Sequence, residues 1–229
     1  MEQPLGLIPL KRRILLLSHT GKGDVIRVGS HHLAMQMGRL GMDVVHLSLG
    51  DSCHSIIEDS VRWVELKPQV SPSVMIRMPS AFRNLLLKQL LQSVGLGCEY
   101  DYLLLDSEFF FSFLQLFKGG KVVYRPTDYK VFRAMRRQLA KVDAIVATSS
   151  QTLIKLDAIG EPKRSLVLEN GVELTEFVLS EVKAPPYRNF AYLGAVDFRM
   201  DWEATKCFVE SNDELSLTIG GPIMTDVPN

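Results

Sequence analysis

The sequence predicts an α/β fold built on a doubly wound parallel sheet, and three observations predict it. Short apolar runs alternate with helical stretches along almost the whole chain, as strand–helix–strand units require. Several runs, the one over 102–105 above all, are continuously apolar, the mark of strands buried on both faces of a sheet. Glycines stand where the helices of such units should stop, at Gly41, Gly95 and Gly97.

The elements follow in order. A strand over 14–18 leads into a glycine-containing loop, Thr20-Gly21-Lys22-Gly23-Asp24. Leu33, Met37 and Leu40, spaced by four and three, predict a helix over about 30–40. Strands are expected over 44–49 and 61–66. Ser80 then caps a leucine-rich helix reaching about Val94. The apolar run of 102–105 ends in Asp106 and is followed by a helix over 109–117. Further strands are expected over 121–124, 143–147 and 165–168, with helices over 131–141 and 151–158 between them. Pro185-Pro186 can join neither a helix nor a central strand, so it marks a linker. Beyond it the pattern restarts: a strand over 190–193, a helix over 201–210 and a strand over 215–219. The expected domains are therefore 1–182 and 183–229.

The 229 residues carry 26 Lys+Arg and 26 Asp+Glu, with 46% hydrophobic residues, enough for a substantial core and too many for a disordered chain. Zero net charge argues against a general nucleic-acid binder. The charge is nonetheless uneven. From Asp197 onward seven acids face two bases, leaving the longer first part basic by five. No apolar run approaches the roughly 18 residues of a membrane span. The three scattered cysteines fit a reducing compartment, and the amino-terminal stretch lacks the features of a signal peptide, so a cytosolic chain is expected.

In doubly wound sheets ligands sit beyond the carboxyl ends of the strands, which directs attention to the loops that leave them. Gly21-Lys22-Gly23-Asp24 has no Ser or Thr after its lysine and lacks the Walker spacing, leaving a tight turn or a ligand loop. Adjacent His31 and His32 point about 100° apart on a helix, so their spacing does not make a metal pair. The stretch 130–141 holds five bases and no acid, with Phe132, Met135, Leu139 and Val142 on one face. Such a helix docks on an anionic membrane surface, binds a pyrophosphate, or is a solvated face over a core. The leucines of 85–91 bury in protein or lean into lipid headgroups. Asp128, in Tyr124-Arg125-Pro126-Thr127-Asp128-Tyr129, is either a helix N-cap or a general base. A sugar hydroxyl needs such a base because its own pKa lies far above neutral.

The order of these segments resembles the two-domain nucleotide-sugar glycosyltransferases of the GT-B fold. The resemblance rests on Arg27-Val28-Gly29-Ser30-His31-His32-Leu33-Ala34, on Ala144-Ile145-Val146-Ala147-Thr148-Ser149-Ser150 with Glu169-Asn170-Gly171-Val172-Glu173, and on Tyr192-Leu193-Gly194. The Arg-Pro-Thr-Asp segment most resembles the membrane-associated β-glucuronosyltransferases of exopolysaccharide assembly, of the xanthan type. The resemblance implies a Rossmann-like acceptor-side domain and the first βαβ of a Rossmann-like donor-side domain. It implies Asp128 as catalytic base, and Glu173, Gly194, Ala195 and Val196 beside the nucleotide-sugar donor. Asp24, His31 and Glu108 would lie on the acceptor side. Leu86, Lys88, Arg133 and Arg137 would face the membrane. No metal or cofactor is implied, and the partners are a nucleotide sugar and a lipid-linked glycan acceptor, with peripheral contact at the inner face of the cell membrane. Because only the first βαβ of the donor domain is recognisable, little transfer by this chain alone is expected. The competing class is a non-catalytic glycosyltransferase-like protein that docks on a membrane or a partner, including a second copy of itself.

Overall fold

The computed structural model describes residues 11–23, 29–127, 135–159, 164–171, 188–194, 196–197, 200–211 and 214–223. The chain divides into two compact units, Met1–Val172 and Glu173–Asn229. The linker prolines expected at 185 and 186 lie outside the described residues.

The first unit is an eight-stranded sheet of β1 (Arg13–Leu17), β2 (Asp43–Leu49), β3 (His54–Glu58), β4 (Val61–Leu66), β5 (Tyr102–Leu105), β6 (Lys121–Tyr124), β7 (Ala144–Ala147) and β8 (Ser165–Val167). Their order is β3-β4-β2-β1-β5-β6-β7-β8. Every neighbouring pair is parallel except β3 with β4. This is the doubly wound sheet that the alternating pattern predicts. Successive residues of a strand point to opposite faces, and the core divides accordingly. Leu15, Leu17, Val45, Leu47, Val64, Leu66, Leu103 and Leu105 bury on one face. Leu16, Val44, Val61, Trp63 and Leu104 bury on the other. Two separate cores, one on each side of β1 and β5, explain why these strands read as unbroken apolar runs.

Helix α1 (Gly29–Arg39) covers the second face. It stops where expected: Gly41 takes φ +84°, the Gly41 N–H donates to Gly38 O and the Met42 N–H donates to Met37 O. That pair of bonds is a Schellman motif, and glycine is favoured because the left-handed backbone has no Cβ to clash. The fully buried stripe is Ser30, His31, Ala34 and Gly38; Leu33 and Met37 of the expected face pack partly buried against the same core, while Leu40 is 76% exposed. Leu40 follows Arg39 at the helix end, its N–H still donating to Gln36 O, with its side chain toward solvent. Helix α3 (Ser80–Ser93) ends the same way: Gly95 takes φ +67°, the Leu96 N–H donates to Leu91 O, and both leucines are buried. Between β5 and β6 the expected helix is a 3₁₀ segment, Glu108–Leu116, whose N-cap Ser107 accepts from the Phe109 N–H. Phe110, Phe111 and Phe113 from it enter the first core. Helices α4 (Met135–Leu139) and α5 (Ser150–Asp157) complete the layers, and Ser149 caps α5 through the Thr152 N–H.

Two elements were not anticipated. Strand β3 is an exposed edge strand with no periodic burial to betray it, joined to β4 by Asp59 and Ser60 at φ +52° and +63°. Two consecutive positive φ values make a type I′ hairpin turn, here without the usual Asn-Gly. Helix α2 (Pro72–Arg77) is six residues long, with proline at its start.

The second unit contains β9 (Asn189–Leu193), α6 (Trp202–Glu210) and β10 (Ser216–Gly220), with β9 and β10 paired in parallel as a βαβ piece. Asp201 caps α6 by accepting from the Ala204 N–H at 3.0 Å.

Candidate functional site at the carboxyl edge of the sheet

Strand β1 has β2 on one side and β5 on the other, so the chain builds one wing of the sheet and then crosses to build the second. The crevice outside the carboxyl ends of strands at such a crossover point is where ligands bind in this architecture. His19 leaves β1 there, Asp106 and Glu108 follow β5, and Pro126 and Thr127 follow β6. With Tyr124 they line a cavity of about 230 Å³.

The geometry of the strands brings charge into this edge. Asp106 and Arg125 are the first residues past the paired ends Leu105 and Tyr124, and Arg125 N–H donates to Leu105 O at 2.8 Å. Adjacent in register, their side chains meet: Arg125 Nη1 donates to Asp106 Oδ1 at 2.8 Å, and both residues are buried. Arg125 Nη2 donates to Asn170 Oδ1 at 3.0 Å, tying the loop after β8 to the end of β6. The start of α1 closes in from above. A Cβ on Gly29 would stand 2.9 Å from Arg125 Nη2, so only glycine fits beside the guanidinium without displacing it. Burial pushes the Asp106 carboxyl upward, and Arg125 chiefly, then His19 and Ser30, pull it down. Asp106 Oδ2 and Arg125 Nε have no hydrogen-bond partner among the described residues. Burial likewise raises the Tyr124 hydroxyl, with Glu108 and Asp106 adding to the effect, so it is a neutral donor and acceptor at ordinary pH.

A polar seam anchors the loop after β1. Ser18 Oγ shares hydrogen bonds with Ser30 Oγ at 3.0 Å and with Thr20 Oγ1 at 3.2 Å. His31 Nε2 donates to Gly21 O at 2.9 Å, which fixes the proton on that nitrogen. The His31 ring stacks on His46 at 5.1 Å and on Trp63 at 5.6 Å, and His46 lies 4.8 Å from Trp63. Burial first, and His31 second, lower the His46 pKa to about 3, so this ring is neutral. On the other side, Thr148 Oγ1 donates to Thr127 O at 3.0 Å and braces the segment that continues to Asp128.

The residues expected from sequence fall in different places. Glu108 lines the cavity. His31 is 2% exposed and holds the Gly21 loop instead of facing a ligand. In the second unit the Gly194 N–H donates to Gly220 O at 3.0 Å and the Val196 N–H to Pro222 O at 2.9 Å. Both amides are thus engaged in the strand ladder, where the resemblance placed backbone against a diphosphate. Leu86 is half-buried, while Lys88 and Arg137 are exposed. Asp24, Asp128, Arg133, Glu173 and Ala195 lie outside the described residues. Sequence reasoning passed over Asp106, Arg125 and Asn170 as site residues. The available signal was a polar residue ending each of two apolar strands, Leu105-Asp106 and Tyr124-Arg125. Among the described residues, no three His, Cys, Asp or Glu side chains gather as metal ligands. No described helix is long and apolar enough to cross a membrane.

No protein-family model and no curated protein sequence matches the chain. Among solved structures it is similar to an α-glucosyltransferase in complex with UDP and a 13-mer DNA containing a HMU base, at 11% identity over 87% of this chain and 54% of that one, with a TM-score of 0.52. It is similar to a glycosyltransferase from Rickettsia africae ESF-5 at 13% identity over 88% of this chain and 57% of that one, TM-score 0.51. A sucrose-phosphate synthase structure from Thermosynechococcus elongatus aligns at 12% identity over 70% of this chain and 90% of that one, TM-score 0.47. The chain spans about half the length of the first two. At these identities the likeness is one of fold, and the fold is the Rossmann-like α/β arrangement seen in the first two structures.

Proposed function

We propose that the chain is the acceptor-side part, with the start of the donor side, of a glycosyltransferase that moves a sugar from a nucleotide sugar to a lipid-linked or polysaccharide acceptor in cell-surface glycan assembly. The observation that carries this reading is the polar cavity at the carboxyl edge of β1, β5 and β6, bordered by the Arg125-Pro126-Thr127 segment that leads directly to Asp128. The fold likeness to glycosyltransferases, one of them holding UDP, supports it.

In the proposed reaction Asp128 accepts the proton of an acceptor hydroxyl as its oxygen bonds to the anomeric carbon. The bond from that carbon to the nucleotide diphosphate breaks, and the diphosphate leaves with the electron pair. The transfer is proposed to need no metal. Glu173 and Ala195, with the backbone around Gly194 and Val196, are proposed on the donor side, Asp24 on the acceptor side, and glucuronate is the proposed donor sugar.

Peripheral attachment at the inner face of the cell membrane is part of the same reading. Phe82 and Leu85 on α3 are about half exposed, beside exposed Lys88. The Lys141 ammonium, just past α4, is held below its ordinary pKa by partial burial, then by Arg137 of α4 and Arg83 of α3. Apolar side chains beside clustered cations suit an anionic lipid surface.

One observation favours a second reading, a non-catalytic assembly role through a dimer. In the second unit Phe190, Tyr192 and Phe208 are more than a third exposed around an open hollow of about 530 Å³. Sedimentation at several concentrations decides it: a dimer dissociated by Phe190→Ser supports assembly, and a monomer throughout removes it. For the leading reading, thermal unfolding is followed with UDP-glucuronate, UDP-glucose and GDP-mannose. Weak stabilisation by a nucleotide sugar is the expected result, with whatever transfer the chain retains lost in Asp128→Asn. No stabilisation by any nucleotide sugar at millimolar concentration would sink it.

A further inference from the structure

We propose that the carboxyl-edge cavity recognises an uncharged sugar through its hydroxyl groups and discriminates against sugars bearing a carboxylate or phosphate. Asp106 lines the cavity and is 4% exposed; one carboxylate oxygen is held by Arg125, and the other forms no well-aligned hydrogen bond among the described residues, only the weaker pull of the Ser30 hydroxyl acting on the carboxyl. A buried acceptor left unpaired is costly, and a ligand that donates a hydrogen bond there recovers that cost. Glu108 adds a second carboxylate to the same wall.

The rest of the lining completes the selection. The Tyr124 hydroxyl can donate and accept, as a polyol requires, and the His19 ring lies on the same wall. No Lys or Arg is among the described lining residues, and the Arg125 guanidinium behind Asp106 is bonded to Asp106 and Asn170. Arg125 offsets the charge of Asp106, so among the described acidic lining residues Glu108 is the carboxylate with no such partner shown. A carboxylate or phosphate entering would meet two carboxylates and like charge, whereas hydroxyls bring donors to them. A volume of about 230 Å³ suits one sugar residue rather than a chain. The inference rests on the glycosyltransferase reading only in assigning this sugar to the acceptor.

The full 229-residue chain is titrated with methyl glucoside, methyl glucuronide and glucose 6-phosphate at neutral pH, following the His19 and Tyr124 ring signals by NMR. Methyl glucoside is expected to shift both rings, and the two anionic sugars to bind at least ten-fold more weakly. In Glu108→Gln, a neutral near-isostere at a half-buried position, the discrimination is expected to narrow several-fold while the remaining amide spectrum stays in place. Equal or tighter binding of either anionic sugar, or shifts that miss both rings, overturns the proposal. So does an unchanged preference in a folded Glu108→Gln. UDP is titrated in parallel. Methyl glucoside binding without UDP binding sinks the transferase reading and leaves the subsite standing; UDP binding with no response to methyl glucoside does the reverse.

Discussion

Asp106 and Arg125 meet at 2.8 Å because β5 and β6 end in register, and each keeps one buried polar atom unpaired among the described residues. The pair is therefore a support for the carboxyl edge that is itself incompletely satisfied. Its two members are not equivalent. Arg125 cannot shed its charge, whereas Asp106 can take up a proton.

That asymmetry predicts unequal responses to truncation. Asp106→Ala strands a buried guanidinium and is expected to cost about 3–5 kcal/mol across the accessible pH range. Arg125→Met leaves a buried carboxyl whose pKa rises further, so its cost is largest near neutral pH and shrinks as the solution is acidified through the raised value. Urea unfolding of both variants at about pH 7 and about pH 5 measures this. An Arg125→Met penalty that grows on acidification would contradict the assignment.

The His46 ring makes the wild-type chain sensitive in the opposite direction. With a folded pKa of about 3 against 6.5 for the ordinary group, the unfolded state binds a proton first as pH falls. Folding should weaken by about 2 kcal/mol between pH 7 and pH 5 through this residue alone. His46→Phe keeps a ring in the stack with His31 and Trp63 and has no unpaired Nε2 to bury. It is expected to be close to neutral at pH 7 and to flatten the pH dependence; an unchanged slope assigns the acid lability elsewhere.

Gly38 and the Asp59-Ser60 turn form a close backbone contact with two testable sides. A Cβ on Gly38 would lie 2.9 Å from Ser60 O and 3.2 Å from Asp59 O, both backbone atoms. Gly38→Ala should therefore destabilise by roughly 1–3 kcal/mol despite the better helix propensity of alanine. Ser60→Gly relieves a positive φ and should stabilise by about 1 kcal/mol. Thermal melts of the two variants should move in opposite directions.

For the proposed membrane contact, the Phe82→Ser/Leu85→Ser double variant should bind vesicles containing phosphatidylglycerol at least about ten-fold more weakly, since each residue loses apolar area that lipid would cover. Arg137→Ala should lower the salt dependence of binding while leaving the folded state intact. Vesicle binding equal to that of the wild type in the double variant removes α3 from the interface.

Much of the sheet was legible because strands buried on both faces must be apolar throughout, as in Leu15, Leu16 and Leu17 of β1 and in Leu103, Leu104 and Leu105 of β5. Helix ends were legible where glycine supplied a left-handed cap, at Gly41 and Gly95. Strand β3 was not, because an edge strand exposed along its length carries no burial pattern. The site was legible only as a set of loops. Glu108 stands in one of those loops and lines the cavity, but the pairing of Asp106 with Arg125 depends on strand register, which residue spacing does not encode. His31 misled for a related reason: a polar side chain on a helix reads as a ligand contact until its partners, Gly21 O, His46 and Trp63, are seen around it.

The position of Trp63 has a practical consequence. The chain contains two tryptophans, Trp63 buried among histidines in the first unit and Trp202 at the start of α6 in the second. Each unit thus carries its own fluorophore. Indole emission from Trp202→Phe follows the first unit alone, and emission from Trp63→Phe follows the second. Whether the two melt together or in sequence can be read from the colour of the light they emit.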